Sequence, residues 1–295
     1  MQSKQARLNP LTSTSGSSHK HSVRSSALPE AHVHPTTPAP FAPIGKLGRA
    51  VIQRVGAVGA ATIFLAQALA HTLRRPLRVR EILEQLHFIG NRSLSIVVLT
   101  GAFTGLVLVL QGYNALTRFG AEQMVGSLVA LSLVRELAPV LGALMITARA
   151  GSAIAATLGN MRVTEQIDAL QTMAIDPISY LVAPRIIAAL VSGPLLVSLF
   201  ILTGLGVAQL FAVQVLMVDS ASFQSAVATA IEWSDVFEGL TKALCFSVLM
   251  VWIATYRGYT ASGGAQGVGQ ATTRAVVETS VLVLALDYVL TALFF

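Results

Sequence analysis

Charged residues are scarce in this sequence. They make up 12% of the 295 residues and aromatic residues make up 6%, whereas 54% of the chain is hydrophobic. A soluble domain of this length has no core large enough for so much apolar surface. The composition therefore excludes a soluble globular enzyme and predicts an integral membrane protein.

Motifs of catalysis and nucleotide binding are also missing. The chain contains no G-x-x-x-x-G-K-[S/T] phosphate loop, no H-E-x-x-H, no C-x-x-C and no G-x-S-x-G sequence. Its single cysteine, Cys245, has no partner for an intrachain disulfide. We expect this chain to bind no cofactor or metal and to have no enzymatic activity. The energy for uphill transport then has to come from a partner or from an ion gradient.

The net charge of +6 does not indicate a nucleic-acid partner. Most of the Lys and Arg residues lie in the N-terminal segment and at the ends of apolar runs, without interleaved aromatic residues. Membrane topology and contact with anionic lipid explain this pattern, so we expect no binding to nucleic acid.

The N-terminal part of the chain precedes the long apolar runs. Residues 1–45 are rich in Ser, Pro, Thr and His, which predicts a disordered basic tail, with an organelle transit peptide as the alternative. Residues 47–92 hold two amphipathic segments, in the second of which Val79, Ile82 and Leu86 share a face. The uncharged run of the first segment is too short to cross a bilayer, so we predict interfacial helices over 47–92.

Five long apolar runs predict membrane-spanning helices and therefore an all-α fold. They cover 94–113, 125–158, 186–211, 239–256 and 275–295. The segment before the first run is rich in arginine, whereas the loop after the third run has no Lys or Arg. Because basic loops face the cytoplasm, this asymmetry predicts a cytoplasmic N-terminus and a C-terminus on the outer side.

Two adjacent charges lie inside the second run. Arg135 and Glu136 form an ion-pairable couple, and such groups are costly in lipid unless they face protein or a polar cavity. In the fourth run, Glu238 and Lys242 are spaced to pair at i,i+4 near the outer interface. Asp287 is a further acid within an apolar run. Of these residues, Arg135, Glu136 and Asp287 are candidates for a functional site.

A short amphipathic helix is predicted between the second and third runs. Over 162–174, Val163, Ile167 and Leu170 fall on one helical face, and Pro177 follows the segment. The charge pattern places this loop in the cytoplasm. Such a helix lies against the bilayer surface or against a partner protein.

Four stretches carry a resemblance to a known family. They are LSLVRELAPVLGALMITARAGSAIAATLGNMRVTEQIDALQTMAIDPISYLVAPR at 131–185, GAFTGLVLVLQGY at 101–113, GYTASGGAQGVGQATTRAVV at 258–277 and LDYVLTALFF at 286–295. The chain resembles the MlaE-type permeases of the Mla, or MCE-associated, ABC transporters over about residues 50 to 295. We assign 46–295 to this permease domain. The long N-terminal leader departs from the family pattern.

The resemblance implies a homodimeric permease that moves phospholipids between the inner and outer membranes and so maintains outer-membrane lipid asymmetry. A dimer of a separate cytoplasmic ATPase would use the ATP, and a periplasmic lipid-binding protein with MCE domains would cap the outer side. The resemblance places the protein in the cell inner membrane, with the plastid inner envelope as the alternative.

Carried over residue by residue, the resemblance implies two functional surfaces. The first is the loop helix, acting as a coupling helix that docks on the ATPase through Arg162, Glu165, Asp168 and Met173. The second is a lipid cavity at the dimer axis, lined or braced by Arg135, Glu136, Leu106, Leu110 and Tyr113.

Two other functions remain open from the residues alone. An ion-coupled secondary carrier would work through Glu136 and Asp287 and would follow a proton or sodium gradient without nucleotide. A membrane scaffold would use the spans only as anchors and would retain no specific lipid.

Overall fold

The computed structural model describes residues 42–73 and 78–294. Within those ranges the chain is almost entirely helical and contains no strand, which confirms the predicted all-α class. The predicted tail lies outside the described residues except for its last four positions, which are helical. The segment Ile52–Phe295 forms a compact unit.

Five helical segments are long and apolar enough to cross a membrane, as the sequence predicts. We call them spans one to five: Val79–Thr117, Glu122–Val163, Ile178–Gln214, Trp233–Tyr259 and Gly264–Phe294. Each extends beyond its predicted apolar run, because a helix continues through polar residues for as long as its backbone hydrogen bonds are satisfied. Span one shows the largest difference, since it begins at Val79 instead of at residue 94.

The N-terminal helix runs from Ala42 to Leu73. Its Phe64 is buried, and the Phe64 ring lies 5.7 Å from that of Tyr256 and 5.5 Å from that of Tyr259, both on span four. The predicted second interfacial segment is the helix Val79–Ile89, which packs against span three. A 3-10 turn joins it to the helix Leu94–Thr117, so the two helices are successive parts of span one.

Span two is divided by two π-helical turns. Its parts are Val125–Ser132, the π turn Leu133–Leu137, Ala138–Ile146, the π turn Thr147–Gly151 and Ser152–Val163. A π turn inserts an extra residue into an α-helix and is frequent at functional sites. The first π turn contains Arg135 and Glu136, and Pro139 follows it closely.

The remaining helices connect or complete the spans. The loop helix is Gln166–Thr172, and span three consists of the π turn Ile178–Val182 followed by Ala183–Gln214. The short helix Ser220–Ala230 packs on the first part of span two. Asp219 caps it by accepting hydrogen bonds from the backbone N–H and the hydroxyl of Ser222, which lower the pKa of Asp219.

Spans one and three pack closely through glycine. A Cβ atom on Gly105 would collide with the backbone of Gly204, and one on Gly101 would collide with Phe200 and Thr203. Missing side chains let two helix backbones approach, which gives dispersion contact where lipid provides no hydrophobic driving force. Span two packs on both of these spans and also on spans four and five, where the charged residues meet.

Candidate functional site

Lys242 of span four is the centre of a charged cluster between spans two, four and five. Its side chain is 0% exposed. The ammonium group donates three hydrogen bonds: to Oε1 of Glu136 at 2.8 Å, to Oγ1 of Thr291 at 2.8 Å and to the carbonyl oxygen of Arg135 at 3.0 Å. A lysine has three N–H donors, so this geometry uses all of them.

Two more carboxylates face the same ammonium group. Glu238 Oε1 lies 3.0 Å from Lys242 Nζ and Asp287 Oδ1 lies 3.7 Å from it, and neither oxygen has a hydrogen-bond donor among the described residues. The 3.0 Å contact is therefore an ion pair without hydrogen-bond geometry. The structure confirms the predicted i,i+4 pairing of Glu238 with Lys242, and the pairing is ionic. Asp287 is brought to the same cluster from span five.

Pro139 explains why a backbone carbonyl is available to Lys242. In an α-helix the carbonyl of Arg135 would accept the N–H of the residue four positions later, but that residue is Pro139, which has no N–H. The Lys242 ammonium supplies the missing donor. The Arg135 carbonyl, which Pro139 leaves without a donor, and the buried ammonium of Lys242 thus satisfy one another's hydrogen-bonding needs.

Arg135 is held by a different partner, Asp235. The Arg135 guanidinium contacts Asp235 Oδ1 through Nε at 2.7 Å and Nη2 at 2.5 Å. The other oxygen of Asp235 accepts the backbone N–H of Glu232 at 2.9 Å, as part of the capping box that begins span four. Asp235 is 2% exposed. One carboxylate therefore caps span four and fixes Arg135 of span two against it.

The interpretation of Arg135 and Glu136 as one ion-paired couple is wrong. Adjacent helical residues point in directions about 100° apart, so the two side chains reach different partners. Arg135 pairs with Asp235, and Glu136 pairs with Lys242. Both remain partly accessible, with 38% of the Arg135 side chain and 39% of the Glu136 side chain exposed. The cluster thus presents one cation and one anion beside each other.

The predicted apolar lining lies on span one. Leu106 and Tyr113 are half-buried, and Leu110 is 42% exposed. Span one packs on span three and on two parts of span two, whereas the charged cluster is formed by spans two, four and five. Within the described residues, no hydrogen bond or ion pair joins Leu106, Leu110 or Tyr113 to the cluster. Their role in lining a cavity stays a prediction.

The loop helix is shorter than predicted. Span two ends at Val163, Glu165 adopts a left-handed backbone conformation with φ of 58°, and the helix resumes only over Gln166–Thr172. The prediction of one helix over 162–174 is wrong, because left-handed Glu165 interrupts it and left-handed Ala174 ends it early. Ile167 is fully buried and Leu170 packs against the core, which confirms that part of the predicted apolar face.

The four predicted coupling residues occupy different environments. Arg162 and Asp168 pair with each other at 2.5 Å across the break. Glu165 is exposed and Met173 is 67% exposed, so both are available to another protein. These four residues therefore comprise one ion pair within the loop, one exposed glutamate that has no ion-pair partner among the described residues, and one exposed apolar side chain.

The sequence analysis did not predict the central role of Lys242 or the pairing of Asp235 with Arg135. A buried lysine inside an apolar run is itself a signal, because a lone cation in lipid requires partners. Asp235 gave no comparable signal, since an acid at the start of a helix is ordinarily only a cap. A second pair was missed as well: Arg257 near the end of span four contacts Glu278 of span five through two hydrogen bonds of 2.6 Å.

The fold and the site define a polytopic membrane protein whose spans carry an ion-paired cluster of two cations and four carboxylates. The chain belongs to the MlaE permease family, because the family model described as Permease MlaE matches residues 82–293.

Curated relatives agree with this family. The chain is 44% identical over 253 residues to the intermembrane phospholipid transport system permease protein MlaE of Haemophilus influenzae, covering 85% of this chain and 97% of that protein. It is 43% identical over 249 residues to a probable ABC transporter permease protein of Rickettsia felis, covering 84% and 96%. It is 34% identical over 233 residues to the chloroplastic protein trigalactosyldiacylglycerol 1 of Arabidopsis thaliana, covering 79% and 67%.

Proposed function

We propose that this chain is the permease subunit of an ABC transporter that moves phospholipids between the inner and outer membranes and thereby maintains outer-membrane lipid asymmetry. The observation that carries the proposal is the 44% identity that extends over 97% of the Haemophilus influenzae phospholipid permease. The names of the reported relatives favour this function over an ion-coupled carrier that works through Glu136 and Asp287.

The charged cluster is suited to a phospholipid headgroup. A lipid pathway needs mostly apolar walls with a few polar groups that orient the headgroup. Arg135 offers a guanidinium to the phosphate, and Glu136 offers a carboxylate to an ammonium group such as that of ethanolamine. Lys242 and Asp235 do not contact the lipid in this mechanism. They hold Arg135 and Glu136 in place and compensate their charges while the pathway is empty.

The energy comes from a separate ATPase, since the chain contains no phosphate loop of its own. A dimer of that ATPase docks on the loop helix, where Glu165 and Met173 are exposed. Two copies of this chain form the core of the complex, and a periplasmic MCE-domain protein receives or delivers the lipid. The N-terminus is cytoplasmic and the C-terminus periplasmic. The bacterial relatives support the cell inner membrane, and the chloroplastic relative keeps the plastid inner envelope as the alternative.

Affinity purification in mild detergent, with mass spectrometry of proteins and lipids, tests the complex. An ABC ATPase, an MCE-domain protein and phospholipid are expected with the tagged chain. Reconstituted lipid transfer between vesicles then tests the activity, which should require ATP hydrolysis and fall in Glu136→Gln but not in Arg118→Gln, a change at an exposed arginine outside the cluster. Transfer that follows a proton gradient without nucleotide would replace this proposal with the ion-coupled carrier.

A further inference from the structure

An apolar crevice lies between the N-terminal helix, span four and span five. Its volume is about 520 Å³, and its walls include Leu249, Trp252, Tyr256, Val277, Val281 and Leu282. Trp252 Nε1 donates a hydrogen bond of 2.8 Å to the carbonyl of Ala61, which fixes one wall to the N-terminal helix. The shape and the lining suit a flexible hydrocarbon chain.

A polar pocket adjoins the crevice at Arg257. This pocket has a volume of about 120 Å³, and Arg257, Arg274, Thr260, Ser262 and Gln270 line it. No acid is among its lining residues. Two guanidinium groups with the Ser262 hydroxyl and the Gln270 amide form a donor set that matches the oxygens of a phosphate. The hydroxyl of Thr260 already donates to the carbonyl of Tyr256.

Arg257 belongs to both cavities. It lines the apolar crevice together with Glu278 and also lines the polar pocket. Its Nε and Nη2 each donate to Glu278, and this uses two of the five N–H bonds of a guanidinium. The other three N–H bonds have no partner within the described part of the chain. Arg257, Arg274 and Glu278 together leave one net positive charge, which favours an anionic occupant.

We propose that these joined cavities form a second phospholipid site, with the phosphate of an anionic phospholipid on Arg257 and Arg274 and an acyl chain in the crevice beside Trp252. Glu278 competes with the phosphate for Arg257 and therefore weakens binding. The net charge gives the site a preference for phosphatidylglycerol over zwitterionic phosphatidylethanolamine.

This site is separate from the Lys242 cluster. Arg257 follows Lys242 by fifteen positions on one continuous helix, which corresponds to about 22 Å at 1.5 Å per residue. The two sites therefore lie toward opposite ends of span four. The inference rests on the proposed function only for its ligand class, phospholipid. Direct binding measurements test this site independently of the proposed function, because a failure of lipid transfer leaves the binding result unchanged.

Native mass spectrometry of the purified full-length protein tests the site. Palmitoyl-oleoyl phosphatidylglycerol, palmitoyl-oleoyl phosphatidylethanolamine and inorganic phosphate are added separately. We expect the affinity for phosphatidylglycerol to fall about tenfold in Arg257→Gln and in Arg274→Gln, since each removes a charge-assisted hydrogen-bonding group. Arg118→Gln removes the same charge from an exposed position elsewhere and should leave that affinity unchanged.

Two further variants separate binding from folding. Glu278→Gln should raise the affinity for phosphatidylglycerol, because it releases Arg257 and adds one net positive charge, whereas a purely structural ion pair predicts a loss. Val281→Trp should lower the affinity by filling the crevice. The proposal is overturned if both arginine variants bind phosphatidylglycerol like Arg118→Gln. It is also overturned by a second pair of results: inorganic phosphate binds as tightly as phosphatidylglycerol, and Val281→Trp does not change the affinity for phosphatidylglycerol. The site would then hold only an anion.

Discussion

The ammonium nitrogen of Lys242 lies 2.8 Å from Oε1 of Glu136, although 106 residues separate them in the chain. The same nitrogen contacts Thr291 of span five at 2.8 Å. One buried cation therefore connects three spans. Because an unpaired charge in a membrane costs several kcal/mol, the spans cannot separate at this point without exposing Lys242 or its acids.

Replacement of Lys242 by methionine should destabilise the protein strongly. Methionine keeps the apolar length of the side chain but leaves Glu136, Glu238 and Asp287 without their common cation. Breaking a buried pair in this way costs about 3–5 kcal/mol. Glu136→Gln should cost less, since Lys242 keeps two other carboxylates and the glutamine oxygen still accepts its hydrogen bond. Thermal unfolding in detergent measures both, and a Lys242→Met variant that unfolds at the wild-type temperature would contradict this account.

Arg135 and Asp235 should show strong energetic coupling. Asp235→Asn retains an oxygen for the helix cap and removes the charge that binds Arg135. A double-mutant cycle with Arg135→Gln should therefore give an interaction energy above about 1 kcal/mol. The matched cycle of Arg135→Gln with Glu136→Gln should give a smaller value, because those two side chains pair elsewhere. Equal interaction energies in the two cycles would support the ion pair between Arg135 and Glu136 that the sequence suggested.

Glu165 and Met173 should matter for coupling to the ATPase and not for folding. Both are exposed, so Glu165→Lys and Met173→Ala remove potential contacts with a partner without disturbing the core. We expect lipid-dependent ATPase activity or ATPase co-purification to fall about fivefold, which corresponds to a loss of about 1 kcal/mol and is the effect of a contact that contributes to binding. Glu122→Lys reverses an exposed acid at the other end of span two and serves as the control. Unchanged ATPase binding and activity in both variants would refute docking at this loop.

Glycine at position 105 should be required for the packing of span one on span three. Even alanine places a Cβ atom against the backbone of Gly204, which cannot move aside as a flexible side chain can. Gly105→Ala should therefore cost about 1–3 kcal/mol, as overpacking commonly does. Gly206→Ala adds the same methyl group where no atom lies within 4 Å, and it should be neutral or slightly stabilising. Urea or thermal unfolding of the two variants compares them directly.

Local features of the chain were predictable because they depend on neighbouring residues. The five spans follow from runs of apolar residues, and the i,i+4 pairing of Glu238 with Lys242 follows from helix geometry. The break at Glu165 was not predictable in the same way. A left-handed glutamate violates the usual preference for glycine, and its conformation accompanies the burial of Ile167 and the ion pair between Arg162 and Asp168.

The sequence by itself determined that this protein is helical, lies in the membrane and belongs among permeases without their own ATPase motif, since hydrophobic length and local motifs are properties of single segments. Only the tertiary structure decided which charges compensate one another. Three ion pairs each join two different spans: Arg135 with Asp235, Glu136 with Lys242, and Arg257 with Glu278. Helix packing brings them together, and the cost of an unpaired charge in lipid keeps them paired.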